Sequence, residues 1–419
     1  MCSRQYGDVV LVRFGPKTLV MLNNPKDIEE VLVKQASAFR KGYLMREFRW
    51  LTGEGILTSD GEYWRSHREL VQPALHRQRM GAYAAAMVAE TEKTIEGWTE
   101  GEMFDIYREM VSLTLRIVAS TLLGVNLRDR VDQIGDGLTL ALTALNTRIT
   151  SLLFLFPPIV PFAVNRRLKR GLRALDSIIY AMIRERRASP RGDDLLSLLM
   201  GSVDVKGHRL SDVEVRNEVM TILGAGHETT ALGLAWAWYL LATQPEAWDQ
   251  LGAEMERVLD GRAPTLGDLK DLTYTQAVFK ESLRLYPPGW IIGRDAIHDV
   301  KIGAVTVRRG WSVIVSPHAV QRDPRFYDEP DAFRPGRWLE RRSGALPPFA
   351  YFPFGGGPRA CLGANFAWTE GTLVLATIAQ RFRFSLVPGF EVIPAPAMTL
   401  RPRDGMMVTV GARRTMQVA

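Results

Sequence analysis

Apolar residues recur at three- and four-residue steps over residues 25–34, 61–75, 80–99, 107–123 and 166–187. That spacing lines one face of an α-helix, so each block predicts an amphipathic helix packed on a core. Ahead of them, residues 8–12 and 18–22 alternate like two short strands about a Gly15-Pro16 turn. Ser211, followed three residues later by Glu214, has the form of a capping box. The helix it opens runs to about Thr243 and is apolar on nearly every side after Val219, so it belongs inside the protein. Further helices are predicted over 245–259 and 272–285. Past Pro287-Pro288 the pattern changes to short strands over 296–315, punctuated by Gly303 and Gly310. A proline- and glycine-rich stretch over 316–359 precedes one more helix, from just after Cys361 to near Arg381, and alternating short runs finish the chain. No internal repeat or low-complexity linker divides it. The fold class expected is mainly α with small β-sheets at the edges, one unit over residues 1–419 around a long central helix.

Composition narrows the function classes. With 46% hydrophobic and 24% charged residues over 419 positions, the chain is globular and long enough to bury a large core without staples. Only Cys2 and Cys361 are cysteines, which excludes a disulfide framework, a multi-cysteine zinc site and a cysteine-ligated iron–sulfur cluster. The longest apolar run, residues 152–164, is short and broken by Pro157, Pro158 and Pro161, and no basic, apolar leader opens the chain. A cytoplasmic protein with no transmembrane segment is expected. The net charge of +7 is scattered, with clusters at 166–170 and 184–187 that fit solvated helix faces. A docking surface for an acidic partner is the alternative. Nucleic-acid binding would need a denser basic stripe with aromatics interleaved.

The densest chemical signal is Phe354-Gly355-Gly356-Gly357-Pro358-Arg359-Ala360-Cys361-Leu362-Gly363. Its glycines permit a tight loop and close backbone approach to a flat ligand. Cys361 falls at the start of a helix with Arg359 beside it, a setting that favours a thiolate. The segment resembles the haem-binding loop of cytochromes P450, F-x-x-G-x-R-x-C-x-G, matched in full at Phe354, Gly357, Arg359, Cys361 and Gly363. The resemblance implies the cytochrome P450 fold, with a long core helix over a haem b (iron protoporphyrin IX). It implies Cys361 as the iron ligand and Arg359 as a propionate partner, and an electron-rich thiolate favours O–O cleavage.

Other segments are similar to family motifs in the family's order. Glu281-Ser282-Leu283-Arg284 looks like the E-x-x-R pair, and Phe333–Trp338 like the segment whose arginine, here Arg337, completes a structural Glu-Arg-Arg cluster. Ala225-Gly226-His227-Glu228-Thr229-Thr230 interrupts the long apolar helix. Ala225 and Gly226 leave room for a planar group and O2, and Glu228 with Thr229 forms an acid–alcohol pair suited to proton delivery. A zinc protease motif fails because Ala231 stands where a second histidine is needed, so His227 is a bystander. Trp64 and Arg68 match the W-x-x-x-R propionate pair, and Arg294 matches a further propionate position; His318 is either a ligand or a core histidine. Tyr286–Trp290 and the block over 351–371 also resemble thermophilic carotenoid-ring hydroxylases. The family usually has a leader and a first helix before the Tyr6–Pro16 segment, and here five residues precede it.

The resemblance implies a monooxygenase that inserts one atom of O2 into a C–H bond of a lipophilic small-molecule substrate. Its pocket would be lined from 39–56, 152–162, Leu223 and Gly289–Gly293, with Phe154, Phe156 and Trp290 as walls. Arg46, Glu47, Arg49 and Glu54 are the few ionisable groups there. Terpenoid, carotenoid and fatty-acyl substrates stay open. No flavin or nicotinamide fingerprint is present, so electrons would come from a separate ferredoxin or flavodoxin with its reductase. A monomer is expected. The rivals are a peroxide-driven peroxygenase, which would replace the acid–alcohol pair, and a non-catalytic haem-binding sensor, which would not need it. A hydrolase lacks G-x-S-x-G.

Overall fold

The structure is a computed structural model that describes residues 5–412 apart from 16, 76, 125–129, 152, 154–155, 190–193, 204–206, 208 and 341–345. Pro16 of the expected turn and Phe154 of the expected pocket wall lie outside the described residues. The helices that carry the site are α1 (Gly61–Val71), α2 (Met80–Ile95), α3 (Ile106–Leu122), α4 (Val131–Ile149), α5 (Ala163–Ala188), α6 (Asp212–Gly226), α7 (Glu228–Ala242), α8 (Pro245–Val258), α9 (Thr273–Leu285) and α10 (Ala364–Ala379). None of the described helices is long and apolar enough to cross a membrane.

The centre is the predicted apolar helix. Ser211 and Glu214 form the capping box that starts α6, with Ser211 N donating to the Glu214 carboxylate at 2.8 Å. Every residue from Ala231 to Trp238 in α7 is buried, so this helix has no solvent face. Trp236 stacks on Tyr286 at 4.2 Å and donates its Nε1 to Leu400 O, while Trp238 stacks on Trp248 of α8. The break between α6 and α7 falls at His227. Side-chain hydroxyls serve the carbonyls there: Thr229 donates to Ala225 O at 2.8 Å and Thr114 of α3 to His227 O at 3.0 Å.

Helix α4 has no counterpart among the predicted helices. Its core stripe of Ile134, Leu138, Ala141 and Leu145 is diluted in sequence by Gly135, Gly137 and threonines. The glycines have a packing reason. A Cβ on Gly171 of α5 would meet Gly137 O at 2.7 Å and Ala141 N at 3.0 Å, so the two helices cross backbone to backbone. The predicted helix over 61–75 passes into a 3-10 turn at Gln72–Leu75, where Pro73 removes a donor. The one over 25–34 opens as α-helix at Pro25–Glu29 and widens into a π turn at Glu30–Lys34.

The strands are β1 (Val9–Phe14), β2 (Lys17–Leu22), β3 (Phe39–Lys41), β4 (Met103–Asp105), β5 (Ile292–Ala296), β6 (Val300–Ile302), β7 (Val305–Val307), β8 (Ser312–Val315), β9 (Phe382–Leu386), β10 (Pro394–Pro396), β11 (Leu400–Pro402) and β12 (Met407–Ala412). Five form the main sheet in the order β1-β2-β8-β5-β3; the rest make β4-β12-β9 and the pairs β6-β7 and β10-β11. The sheets sit at the edge of the helical body, as expected.

The α4/α5 crossing sets opposite signs for two glycine substitutions. Gly171→Val has to force two backbones apart and is expected to lower the unfolding free energy by about 1–3 kcal/mol. Gly135→Ala, whose Cβ would meet only Leu115 Cδ2 at 3.6 Å, is expected to raise it by about 0.5–1 kcal/mol through helix propensity. Denaturant unfolding of the two variants checks both signs.

Candidate haem-thiolate active site

The cysteine loop is tied down by backbone. Cys361 N donates to Phe354 O at 2.9 Å, closing the loop, and Gly357–Arg359 makes a 3-10 turn. Gly357 has φ +67°, and a Cβ there would lie 1.9 Å from Leu32 O, so only glycine fits. Helix α10 begins at Ala364 with Gly363 as its N-cap. The Gly363 N–H and the Arg68 guanidinium are the groups that favour charge on the Cys361 sulfur. This corrects the expectation that Arg359 is the cation beside it. A second correction concerns the thiol, which burial pushes above its usual range despite those two groups. The Cys361 side chain is nevertheless accessible, so the sulfur opens onto space walled by protein. A metal ion bound to the sulfur would hold it as thiolate.

Beside the loop, cations converge on Trp64. The Lys41 ammonium lies 5.8 Å, the Arg68 guanidinium 5.7 Å and the Arg359 guanidinium 5.6 Å from its ring. Arg294 on β5 stands opposite Lys41 on β3 in the strand register, and like charges directly opposed repel. Asp60, at 2.8 Å from Arg359 Nη2, lies among them, and the Glu218 carboxylate also acts on Lys41. Burial lowers all four cations: Lys41 to about 7, Arg294 to about 10, and Arg68 and Arg359 below their usual value. Asp60 pulls Lys41 upward and neighbouring guanidiniums push it further down. One buried ammonium and three half-buried guanidiniums in one corner suit a dianion. The residues therefore fit a haem carrying two carboxylates. Lys41 carries no motif and was missed; its place at the end of a three-residue strand is visible only in the fold.

Across the core, Gly224, Ala225, Gly226, Glu228 and Thr229 are partly accessible amid buried neighbours, so this stretch also borders internal space. Glu228 Oε1 accepts from Tyr107 Oη at 3.3 Å and Thr399 Oγ1 at 3.4 Å, and burial raises its carboxyl above the usual range. His227 is the bystander expected: its Nδ1 donates to Leu223 O, and burial lowers the ring to about 4. His318 is likewise held at about 4 by burial, with Arg322 and Asp331 as its charged neighbours rather than the cations around Trp64. His67 Nδ1 donates to Glu218 at 2.8 Å, clamping α1, which bears Trp64 and Arg68, onto α6. Sequence reasoning missed this clamp.

The Glu281 cluster forms as expected, fully buried. The Glu281 carboxylate accepts from Arg284 Nε and Nη2 at 2.8 Å, Arg337 Nε at 2.9 Å and Trp338 Nε1 at 2.8 Å. Arg284 also donates to Gln321 O, while Gln321 donates back to Leu283 O and accepts from Phe352 N at 2.9 Å. Gln321 thus links the cluster to the residues just before the cysteine loop. Around the expected pocket, Arg46 pairs with Asp295 at 2.9 Å and Arg49 with Glu54, while Glu47 keeps one buried carboxyl oxygen without a hydrogen bond among the described residues. Behind α7, Glu370 of α10 is fully buried with Thr230 as its polar neighbour, and burial holds it well above the carboxylate range.

The cytochrome P450 family model matches residues 1–410, and the chain belongs to that family. It is 38% identical to cyclooctatin synthase of Streptomyces melanosporofaciens, over 94% of this chain and 87% of that protein. It is 36% identical to cyclooctat-9-en-7-ol 5-monooxygenase of the same organism, over 92% and 84%. It is 35% identical to pentalenene oxygenase of Streptomyces avermitilis, over 94% and 88%. The protein is thus a cytochrome P450 monooxygenase with haem b as its cofactor.

Two buried acids should behave oppositely. Glu281→Ala strands two buried guanidiniums and is expected to cost about 3–5 kcal/mol in denaturant unfolding, with the loss of bound haem. Glu370 has a raised pKa in the fold, so its contribution is present below the unfolded pKa and is lost as pH rises toward the folded one. Glu370→Gln should match the parent at acid pH and exceed it progressively above, measured as melting temperature against pH.

Proposed function

We propose that the protein oxygenates a terpenoid, inserting one oxygen atom at a C–H bond, with electrons from a separate ferredoxin or flavodoxin and its reductase. Haem b supplies the reductive activation of O2 and the oxygen-atom transfer. Cys361 is the iron ligand, in the loop spanned by Phe354 and Gly363, and Arg68, Arg294 and Arg359 hold the propionates with Trp64 packed among them. Lys41 joins them: with an anion alongside, its ammonium regains the proton that burial removes. Ala225 and Gly226 leave the room above. Glu228, whose carboxyl burial makes a weaker acid, would deliver a proton that Thr229 Oγ1 passes on.

The observation that carries this reading is the group of buried and half-buried cations around Trp64 beside an accessible Cys361. The intact Glu228-Thr229 pair favours use of O2 over peroxide. Arg46 and Arg49 are each paired with a carboxylate, which limits the positive charge facing a lipophilic substrate. Relatives named for pentalenene and for cyclooctat-9-en-7-ol favour a terpenoid over a fatty acid. The net charge of +7 suits an acidic electron donor.

An optical titration of the ferric protein with terpenes, carotenoids and fatty acids tests this. A saturable low- to high-spin shift with terpenes is expected. The compound that shifts the spectrum should then gain one oxygen atom in turnover with a surrogate ferredoxin and reductase. A shift confined to fatty acids or carotenoids would remove the terpenoid assignment, and a protein that holds no haem would remove the whole reading.

A further inference from the structure

The chain that leaves the cation corner carries a polar atom that the fold does not satisfy, and α4 beside it carries another. After Lys41 the chain turns into a short helix, Tyr43–Glu47, and then crosses to α6. There Gly53 packs on Asn217 and Gly55 on Thr221 so closely that neither could carry a Cβ. Thr221 stands one helical turn before Ala225. The short helix also packs on α4. This segment therefore runs between the cations around Trp64, α4 and the approach to the break at His227, and forms one wall of the space they share.

Arg148, next to last in α4, is 1% exposed. Its Nη1 donates to Asn165 Oδ1 at 2.6 Å and its Nη2 to Phe156 O at 2.8 Å, which ties the connection between α4 and α5 to the helix end. Both acceptors are neutral. The Nε of the same guanidinium is buried and has no acceptor among the described residues. Glu47, the last residue of the short helix, has the complementary lack: its Oε2 is buried and accepts no hydrogen bond among the described residues. Tyr43 brings the two into one neighbourhood. Burial raises its phenol, the Glu47 carboxylate beside it adds to the rise, and Arg148 and Arg46 oppose it. Arg46 is already engaged by Asp295 and by Lys41 O at 3.1 Å. The exposed Lys17 ammonium lies 3.5 Å from the Tyr43 ring centre, so the phenol marks where this wall meets the surface.

A buried donor and a buried acceptor left unmet side by side are costly, and such exceptions ask for a reason. A hydroxyl group is the complement of this pair, because its hydrogen can go to the carboxylate while its oxygen accepts from the guanidinium. A hydrocarbon leaves both atoms unmet, a carboxylate is repelled by Glu47, and an ammonium by Arg148. We propose that Glu47 and Arg148 form a binding site for a hydroxyl group of the substrate, so that the terpenoid this enzyme oxygenates is already an alcohol. The hydroxyl donates to Glu47 Oε2 and accepts from Arg148 Nε, while Phe48 and Ile56, partly buried in the same segment, meet the carbon frame. Holding one end of the molecule in this way decides which C–H bond is presented. The inference rests on the terpenoid reading of the site.

The test is an optical spin-state titration of the haem-loaded parent, Glu47→Leu, Glu47→Gln and Arg148→Met. The probes are a cyclic terpene hydrocarbon, its mono-alcohol and its carboxylic acid, matched within monoterpene, sesquiterpene and diterpene frames. In the frame that binds best, the parent is expected to hold the alcohol at least about tenfold tighter than the hydrocarbon, and tighter than the acid. Glu47→Leu removes a buried unmet oxygen and needs no new partner, so it should fold like the parent. It should lose the alcohol by about the same factor, gain on the hydrocarbon, and scatter the position of oxygen insertion. Glu47→Gln keeps an acceptor and should keep part of the preference. Arg148→Met should also lose the alcohol; should it fail to fold, the two Glu47 variants decide. Equal parental affinity for hydrocarbon and alcohol, a preference for the acid, or a Glu47→Leu protein that weakens every probe alike overturns the hydroxyl site and leaves terpenoid oxygenation standing. A spectrum that no terpene hydrocarbon, alcohol or acid perturbs overturns the terpenoid reading, and the hydroxyl site with it.

Discussion

Buried positive charge without matching negative charge is the constraint on which this site depends. Lys41, Arg68, Arg294 and Arg359 share one corner with Asp60. Lysine can relieve such strain by losing its proton, and Lys41 is drawn down to about 7 for that reason. Arginine cannot, so three guanidiniums stay charged in a place where an unpaired ion is expensive. A dianion removes the penalty, lets β3 and β5 pair with Lys41 opposite Arg294, and makes cofactor uptake a source of folding free energy. Loading and stability are in this way one problem.

The opposite treatment of charge holds the cysteine loop. Glu281 is met by two arginines and an indole with no capacity left over, and Arg284 and Arg337 use their remaining donors on carbonyls of the loop over 328–332. A satisfied buried network is rigid, since any movement would strand a charge. Gln321 carries that rigidity to Phe352, two residues before Phe354, and Gly357 seats the loop against Leu32 O. The saturated knot fixes the sulfur, and the corner beside it carries positive charge that a dianionic ligand would match. Both are built from arginine, and the difference lies in how many carboxylates each is given.

Much of this was legible in the chain. The capping box at Ser211, the buried run after Val219, the cysteine loop and the Glu281–Arg284 spacing are local patterns whose physics acts within a few residues. What escaped was set by distance along the chain. Lys41, Gln321 and Tyr107 are ordinary residues in sequence and acquire their roles from partners 253, 31 and 121 positions away, through β3 against β5, Gln321 against Phe352 and α3 against α7. The cation at the sulfur was misassigned for the same reason: Arg359 is the neighbour in sequence, yet its side chain turns to Asp60 and Phe39 O, and Arg68 arrives from another helix. Helix α4 escaped differently, because a tight crossing demands glycines that blur the very periodicity by which a helix is recognised.

The interruption at His227 joins these themes. A core helix wholly buried on every side has no reason to break unless something is gained at the break. Here Ala225 and Gly226 keep one side low, while the turn frees carbonyls that Thr229 and Thr114 serve with hydroxyls rather than leaving bare. The same turn makes Glu228 the opening residue of α7, so its carboxyl leaves the helix sideways toward Tyr107 and Thr399 instead of lying along it. Without the break, that acid would be one more side chain on an apolar helix, desolvated and unable to exchange its proton. With it, the carboxyl meets the hydroxyls of Tyr107 and Thr399, and burial and hydrogen bonding pull on its proton from opposite sides.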